Sequence, residues 1–319
     1  MKPKHHTRHG FRNNYHHEHH ALGDFFKFLW GFQRKSYERP EFPLARNDPA
    51  LLRGNRSQPS LTWVGHDTFL LQLGGLNILT DPHFTKRTSP LRWAGPERLA
   101  PLGLALKDLP AIDLVLISHN HYDHLDEGSV RWIARHNPKA LFVVPLGVRR
   151  WMLRHRIRNA VELDWWQQHD GADYKVTAVP AQHFSGRSAT DRNKTLWCGF
   201  VLELGGQKIY FAGDSGYSKD FADIGARFAP IDLALIPIGA YEPRWFMRAM
   251  HVNPEEAVHI HRDVGAKLSV AMHWGTFRLT EEPLDEPPRF LAQALKEAGI
   301  SPDHFWVMQH GETKTLFKA

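Results

Sequence analysis

The chain runs Ser118-His119-Asn120-His121-Tyr122-Asp123-His124-Leu125-Asp126 directly after the apolar segment Asp113-Leu114-Val115-Leu116-Ile117. A short apolar run of this kind reads as a buried strand. Three imidazoles and a carboxylate then fall within six positions, so the strand end aims several ligands at one point. In this H-x-H-x-D-H pattern His119 and His121 alternate about one metal, while Asp123 and His124 are free to reach a second beside it. Imidazole nitrogen and carboxylate oxygen, with no thiolate, suit zinc or another borderline divalent ion such as Mn2+ or Fe2+.

A chain with 22 histidines can cluster them by chance. Further ligands, however, stand at the ends of other strand-like runs. His183 follows Tyr174-Lys175-Val176-Thr177-Ala178-Val179-Pro180, Asp214 follows Lys208-Ile209-Tyr210-Phe211-Ala212-Gly213, and His273 follows Lys267-Leu268-Ser269-Val270-Ala271-Met272. Chance does not readily supply that recurrence.

With these residues the chain resembles a metallo-β-lactamase-superfamily hydrolase. Narrower segments are similar to the N-acylphosphatidylethanolamine-hydrolysing phospholipase D family. They are Leu79-Thr80-Asp81-Pro82, Leu163-Asp164-Trp165-Trp166, Phe211-Ala212-Gly213-Asp214-Ser215-Gly216-Tyr217, the stretch from Ile236 to Met247, His251-Val252-Asn253-Pro254-Glu255-Glu256-Ala257 and His273-Trp274-Gly275-Thr276-Phe277. The similarity extends from about Leu61 to His310.

The resemblance implies an α/β fold, the αββα sandwich of two mixed β-sheets flanked by helices, with two Zn2+ at one edge. Carried over, His119, His121 and His183 hold one ion, Asp123, His124 and His273 hold the other, and Asp214 bridges them. Two ions about 3.5–4 Å apart share a hydroxide that attacks phosphorus. Asp123 and His251 are the candidate catalytic residues, and His251 either protonates the leaving alkoxide or holds the phosphate. Tyr241 and Arg244 join His251 as candidate substrate-binding residues, with a structural loop as their alternative. Asp81 matches an aspartate that orients a ligand histidine from behind, and His66 is expected in a similar supporting place. Met250 and His83 depart from the animal enzymes, which carry a glutamine and an apolar residue there, so headgroup preference stays open.

Length and composition set bounds on the rest. The chain has 319 residues, 42% of them hydrophobic and 11 of them tryptophan, enough for a substantial core. No apolar run approaches the ~20 residues that span a bilayer, and the polar N-terminus does not read as a secretory signal. The single cysteine, Cys198, fits a reducing compartment. A cytoplasmic protein is expected, peripheral at the inner face of a membrane if its substrate is a lipid.

The net charge of +6 sits entirely in residues 1–56, which hold 11 Lys/Arg against 5 Asp/Glu; residues 57–319 hold 29 of each. A neutral body argues against a nucleic-acid partner. A basic extension favours anionic surfaces, including a phospholipid membrane.

Two units follow: a basic, histidine-rich extension over 1–56 and a hydrolase domain over 57–319. Residues 1 to about 20, with seven histidines, read as disordered, either a solvated tail or a metal-capturing one. Residues 24–35 include Phe25-Phe26-Lys27-Phe28-Leu29-Trp30-Gly31-Phe32, which either contacts a membrane or folds back onto the body. The basic run Arg149 to Arg158 is a lipid-facing surface or an ordinary solvated helix.

The periodicity predicts a hairpin of Thr62–Leu73 and Asn77–Thr80 through Gly74-Gly75. A helix is expected from Asp126, as N-cap, to His136, stopped by Asn137-Pro138. Further helices fit Gly147–Arg156, Ser218–Phe228, Asn253–Arg262 and Glu286–Ala298, with strands near Ala140–Val144, Thr195–Leu204, Lys208–Ala212, Leu233–Pro237 and Lys267–Met272. His259 and His261, two apart on a helix, are expected at the surface.

Three functions compete. The first is a zinc phosphodiesterase releasing phosphatidic acid and an N-acylethanolamine at a membrane surface, with a homodimer as in the animal enzymes. The second is a hydrolase of soluble esters, lactones or cyclic phosphodiesters on the same scaffold. The third is a metal buffer or sensor without turnover.

Overall fold

Successive apolar residues along the strands of the first sheet face alternately to two different cores. The computed structural model describes residues 3–18, 23–24, 27–28, 30–31, 39–91 and 93–317. The first sheet takes β1 (Ser60–Gly65), β2 (Thr68–Leu73), β3 (Leu76–Thr80), β4 (Leu114–Leu116), β5 (Leu141–Pro145) and β6 (Ala160–Leu163). The second takes β7 (Gln168–Asp170), β8 (Tyr174–Val179), β9 (Gly199–Leu204), β10 (Gln207–Phe211), β11 (Leu233–Pro237), β12 (Ser269–Met272) and β13 (Phe305–Trp306). β14 (Thr313–Thr315) returns to the first sheet, pairing antiparallel with β1.

Each sheet lists its seven strands in spatial order, β14-β1-β2-β3-β4-β5-β6 and β13-β12-β11-β10-β9-β8-β7. Each begins with antiparallel hairpins and continues in parallel, β3 to β6 in one and β10 to β13 in the other. Two mixed sheets with helices on their outer faces form the expected αββα sandwich.

The two-residue period decides which face each side chain takes. Phe69, Leu71, Leu114, Leu116 and Val143 join the large core shared with the second sheet. Their neighbours Leu70, Val115, Phe142 and Val144 turn to a smaller core under the helices. Such strands, buried on both faces, read as continuous apolar runs. Trp63 and Phe200, fully buried in the large core, illustrate the energetics: truncating either to alanine costs about 3–5 kcal/mol.

The helices include α1 (Pro49–Gly54), α2 (Glu127–His136), α3 (Val148–Arg154), α4 (Asp220–Phe228), α5 (Arg244–Met247), α6 (Pro254–Asp263) and α7 (Glu286–Ala298). α2 starts where Asp126 accepts from the Ser129 backbone and stops at Asn137, burying Val130 and Ile133. α6 carries a full capping box between Asn253 and Glu256, with proline in its first turn. α3 buries Val148 and Met152 and exposes Arg149, Arg150 and Leu153. Among the described residues no helix is long and apolar enough to cross a membrane.

Three expectations are corrected. The segment Thr62–Leu73, expected as one strand of the hairpin, is two strands: it breaks at His66-Asp67, where His66 takes φ 54°, within the polar stretch Gly65-His66-Asp67-Thr68. His261 is buried, its ring hydrogen-bonded to the Ser269 hydroxyl at 2.8 Å, while His259 is exposed as expected. Residues 3–18, read as disordered, lie against the body. Their polar side chains find partners far along the chain, among them Asp164, His183 and Asp220. In the aromatic segment Phe28 folds back, stacked on Phe246 at 4.9 Å, and Trp30 is exposed. Phe25, Phe26, Leu29 and Phe32 lie outside the described residues.

Candidate metal centre

β3 and β4 run parallel, and β8, β10 and β12 share one direction in the second sheet. Their C-terminal ends deliver Asp81, the loop 118–125, His183, Asp214 and His273 to one edge of the sandwich. Gly213, at φ 61°, permits the close approach there; a Cβ on it would stand 2.7 Å from that of Ser118. His66, Asp81 and His273 also take positive φ (54°, 29° and 60°), the kind of backbone strain that surrounding structure must hold in place.

All seven expected ligands converge. Nε2 of His119 stands 2.8 Å and Nε2 of His183 3.2 Å from Nδ1 of His121. Beside them, Nε2 of His124 is 3.3 Å from Asp123 and 3.0 Å from Asp214, and Nε2 of His273 is 3.6 and 3.2 Å from the same carboxylates. Asp214 Oδ2 also lies 3.9 Å from His119 and 3.7 Å from His183.

The opposite nitrogens are held from behind. His124 Nδ1 meets Asp81 at 2.7 Å, His119 Nδ1 meets the Ser118 hydroxyl at 2.9 Å, and His183 Nδ1 meets the Met250 carbonyl at 2.9 Å. Asp81 also accepts from the Ser118 backbone and hydroxyl, and so steadies both histidines. His66 Nε2 reaches Asp123 at 3.1 Å. Asp81 thus lies behind His124 and Ser118, and His66 lies beside Asp123 in a buried group with His124 and His273.

The electrostatics fit bound cations. Burial lowers the pKa of His119, His121 and His183, to about 4 for His121 and about 3 for His183, keeping them neutral with lone pairs to offer. Burial alone would raise Asp123 and Asp214, but His124 and the neighbouring imidazoles hold both carboxyls well below the usual range. His124 Nε2, His273 Nε2 and Asp214 Oδ1 are buried without a hydrogen-bond partner, the pattern of donor atoms awaiting an ion. Several buried groups of His and Asp here can coordinate divalent metal.

His251 lies at the rim, its Nδ1 3.9 Å from Asp214 and its ring 5.1 Å from that of His183; burial lowers its pKa to about 3. Arg244 donates to the His251 carbonyl at 2.9 Å and to Glu256 at 2.8 Å, and the Tyr241 hydroxyl donates to Glu286 at 2.6 Å. Both polar ends engage the protein itself.

Three residues at the site went unread in the sequence. Asp67 is buried 3.5 Å from His124 Nδ1 with neither oxygen hydrogen-bonded, and burial pushes its pKa to about 8. Its adjacency to His66 was the available signal. Arg187 donates to the carbonyls of Asn120 and Leu125 at 2.9 and 2.8 Å and lies over the Tyr122 ring at 3.9 Å, clamping the ligand loop. Asn13 exchanges hydrogen bonds with the His183 backbone at 3.0 and 3.1 Å. Nothing local marked either of these.

A family model described as a beta-lactamase superfamily domain matches residues 76–274, which contain all seven of these residues. The chain belongs to the beta-lactamase superfamily. Within it, an uncharacterised protein of Mycobacterium tuberculosis is 45% identical over 273 residues, 83% of this chain and 72% of that one. The N-acyl-phosphatidylethanolamine-hydrolyzing phospholipase D 1 of Caenorhabditis elegans is 40% identical over 247 residues, 74% and 69% of the two chains. The fold is also that of an isothiocyanate hydrolase from Delia radicum gut bacteria, with a TM-score of 0.64 at 21% identity over 81% of this chain and 99% of that one. The scaffold and its clustered ligands are those of a metal-dependent hydrolase of this superfamily.

Proposed function

We propose that the chain hydrolyses esters, phosphodiesters foremost, through two divalent ions, zinc before Mn2+ or Fe2+. One observation carries the reading: seven His and Asp donors converge while the far nitrogens of His119, His124 and His183 are already held. His119, His121 and His183 would hold one ion, and Asp123, His124 and His273 the other. Asp214, whose Oδ2 faces ring nitrogens of both groups, would be shared. Bound there, the ions would supply Lewis acidity and a water of lowered pKa as nucleophile.

The chain's own groups do the rest. Asp81 and Ser118 fix the rings so that Nε2 of His124 and His119 points inward. His251, kept neutral by burial, is suited to hold a phosphoryl oxygen through a ring N–H rather than to deliver a proton as an imidazolium.

Two substrate classes are supported by different observations. The superfamily scaffold with its clustered His and Asp donors, a frame that hosts varied hydrolytic chemistry, supports a small soluble ester, lactone or cyclic phosphodiester. The 40% identity to a phospholipase D supports N-acylphosphatidylethanolamine, cleaved to phosphatidic acid and an N-acylethanolamine. In that case exposed Trp30 and Trp245 would meet the membrane surface, with a homodimer as the working unit.

The test is zinc-loaded protein against N-acylphosphatidylethanolamine in mixed micelles and a panel of small phosphodiesters and lactones, with products read by mass spectrometry. Turnover that requires metal and is lost in Asp123→Asn establishes the hydrolase, and the panel names its class. No turnover on any substrate by protein shown to hold two ions overturns it in favour of a metal buffer.

A further inference from the structure

The N-terminal arm carries a second set of metal-ligand side chains, apart from the hydrolytic centre. Nε2 of His5 stands 2.6 Å from Oδ1 of Asp164, and Nε2 of His6 stands 2.7 Å from Oδ2. The donor atoms of all three residues lie within 4.8 Å of one another. Side-chain exposures of 7%, 18% and 9% for His5, His6 and Asp164 place the cluster largely out of water. The Trp165 indole covers His5 with ring centroids 4.3 Å apart, and Phe11 stands edge-on to His6 at 5.1 Å. A backbone turn, with Thr7 donating to Gly10 at 2.8 Å and Arg12 to His5 at 2.9 Å, presents the two histidines side by side.

We propose that His5, His6 and Asp164 form a further divalent-cation site, taking zinc or a similar borderline ion, that staples the N-terminal arm to the body. Two imidazoles and a carboxylate are a donor set for such ions, and three protein ligands leave a fourth position for water. Without an ion, the two ring nitrogens donate to the two carboxylate oxygens. Ligation replaces those N–H···O bonds by nitrogen–metal bonds, and in each neutral ring the proton moves from Nε2 to Nδ1. With metal–donor distances of about 2.0–2.1 Å, a tetrahedral site separates its donors by about 3.3 Å. The rings therefore need to withdraw by roughly 0.6–0.7 Å from the 2.6 and 2.7 Å contacts, within the reach of small side-chain rotations. Burial lowers the pKa of His5, which keeps its lone pair available.

The site has a consequence at the hydrolytic centre. Asn13, further along the same arm, holds the backbone of His183 and also accepts from the Trp197 indole at 2.9 Å. Fixing the arm at His5 and His6 thus fixes the strand end that presents a ligand histidine.

The test uses full-length protein stripped of metal, reloaded with Zn2+ and desalted, with zinc per chain counted by elemental mass spectrometry. Wild type is compared with His5→Ala/His6→Ala, with Asp164→Asn, and with His9→Ala/His16→Ala, which removes two exposed histidines of the same arm. One zinc fewer in the first two variants, with wild-type content in the third, is the expected result. Hydrogen exchange of amides 5–13 should slow on zinc addition in wild type and not in Asp164→Asn. Asp164→Asn conserves volume, so it remains informative if the alanine pair loosens the arm. Repeating the comparison with His121→Ala separates the two centres, because loss of the hydrolytic site lowers every count alike and leaves the difference of one. Equal zinc contents in wild type and the His5/His6 variant, or arm protection indifferent to zinc, would reduce the cluster to a hydrogen-bonded clasp and overturn the proposal.

Discussion

Replacing Asp81 by asparagine alters both halves of the metal centre without replacing a proposed ligand. Asp81 Oδ1 accepts from the Ser118 backbone at 2.7 Å, and Oδ2 accepts from the Ser118 hydroxyl at 2.5 Å and from His124 Nδ1 at 2.7 Å. An asparagine keeps its oxygen toward the Ser118 N–H and turns its NH2 toward Ser118 and His124. His124 Nδ1 then faces a donor and must accept, which moves the ring proton to Nε2, the nitrogen that faces Asp123 and Asp214. The metal has to displace that proton and restore the tautomer against a mismatched neighbour. Loss of such a supporting partner typically costs 10–100-fold in metal affinity, about 1.4–2.7 kcal/mol. The metal-free protein should behave differently: burial raises the Asp81 pKa, so removing its charge relieves a desolvation cost. Zinc affinity by chelator competition and the Tm of metal-free protein together make the assay. Weaker zinc binding with an unchanged or higher metal-free Tm is expected. Unchanged affinity, or a loss explained wholly by a lower metal-free Tm, would refute the reasoning.

Asn13→Ala leaves the His183 backbone N–H and carbonyl without their partner, while the Trp197 indole keeps the Ala181 carbonyl, and should cost about 1–3 kcal/mol in urea denaturation. Arg187→Lys keeps the charge but cannot reach several loop carbonyls at once, and should weaken zinc binding about tenfold by chelator competition. His121, His183 and His310, with folded pKa values of about 4, 3 and 3, are depressed below the ordinary value of 6.5. The unfolded chain therefore binds more protons below pH 6.5, and metal-free protein should lose stability as pH falls from there toward 3. Each such histidine contributes roughly 1.4 kcal/mol per pH unit in that window, measurable as urea midpoints across the range. A flat profile between pH 6.5 and 4 would count against neutral buried rings.

Much of the centre was legible because its ligands sit in short segments with local grammar. The apolar run before His119, the N-cap at Asp126 and the strand ends before His183, Asp214 and His273 are each readable within ten residues or so. What escaped reading is non-local. His5 and Asp164 are 159 residues apart, and polar contacts at such a distance leave no periodicity in either segment. A histidine-rich stretch poor in apolar residues therefore passed for a disordered tail. Arg187 lies in a loop whose composition gave no hint that its guanidinium would span the carbonyls of the ligand loop. The turn at His66-Asp67, by contrast, was local: Gly65-His66-Asp67-Thr68 puts a glycine and three polar residues where β1 meets β2, a turn signal that the burial of both strands did not erase.

The central claim is that the seven converging residues hold two ions. Anomalous diffraction at the zinc edge from crystals of zinc-loaded protein tests it most directly. Two peaks about 3.5–4 Å apart are predicted, one within bonding distance of His119, His121 and His183, the other of Asp123, His124 and His273, with Asp214 touching both. A single peak, or none at this edge of the sandwich in protein that carries zinc elsewhere, would contradict the account.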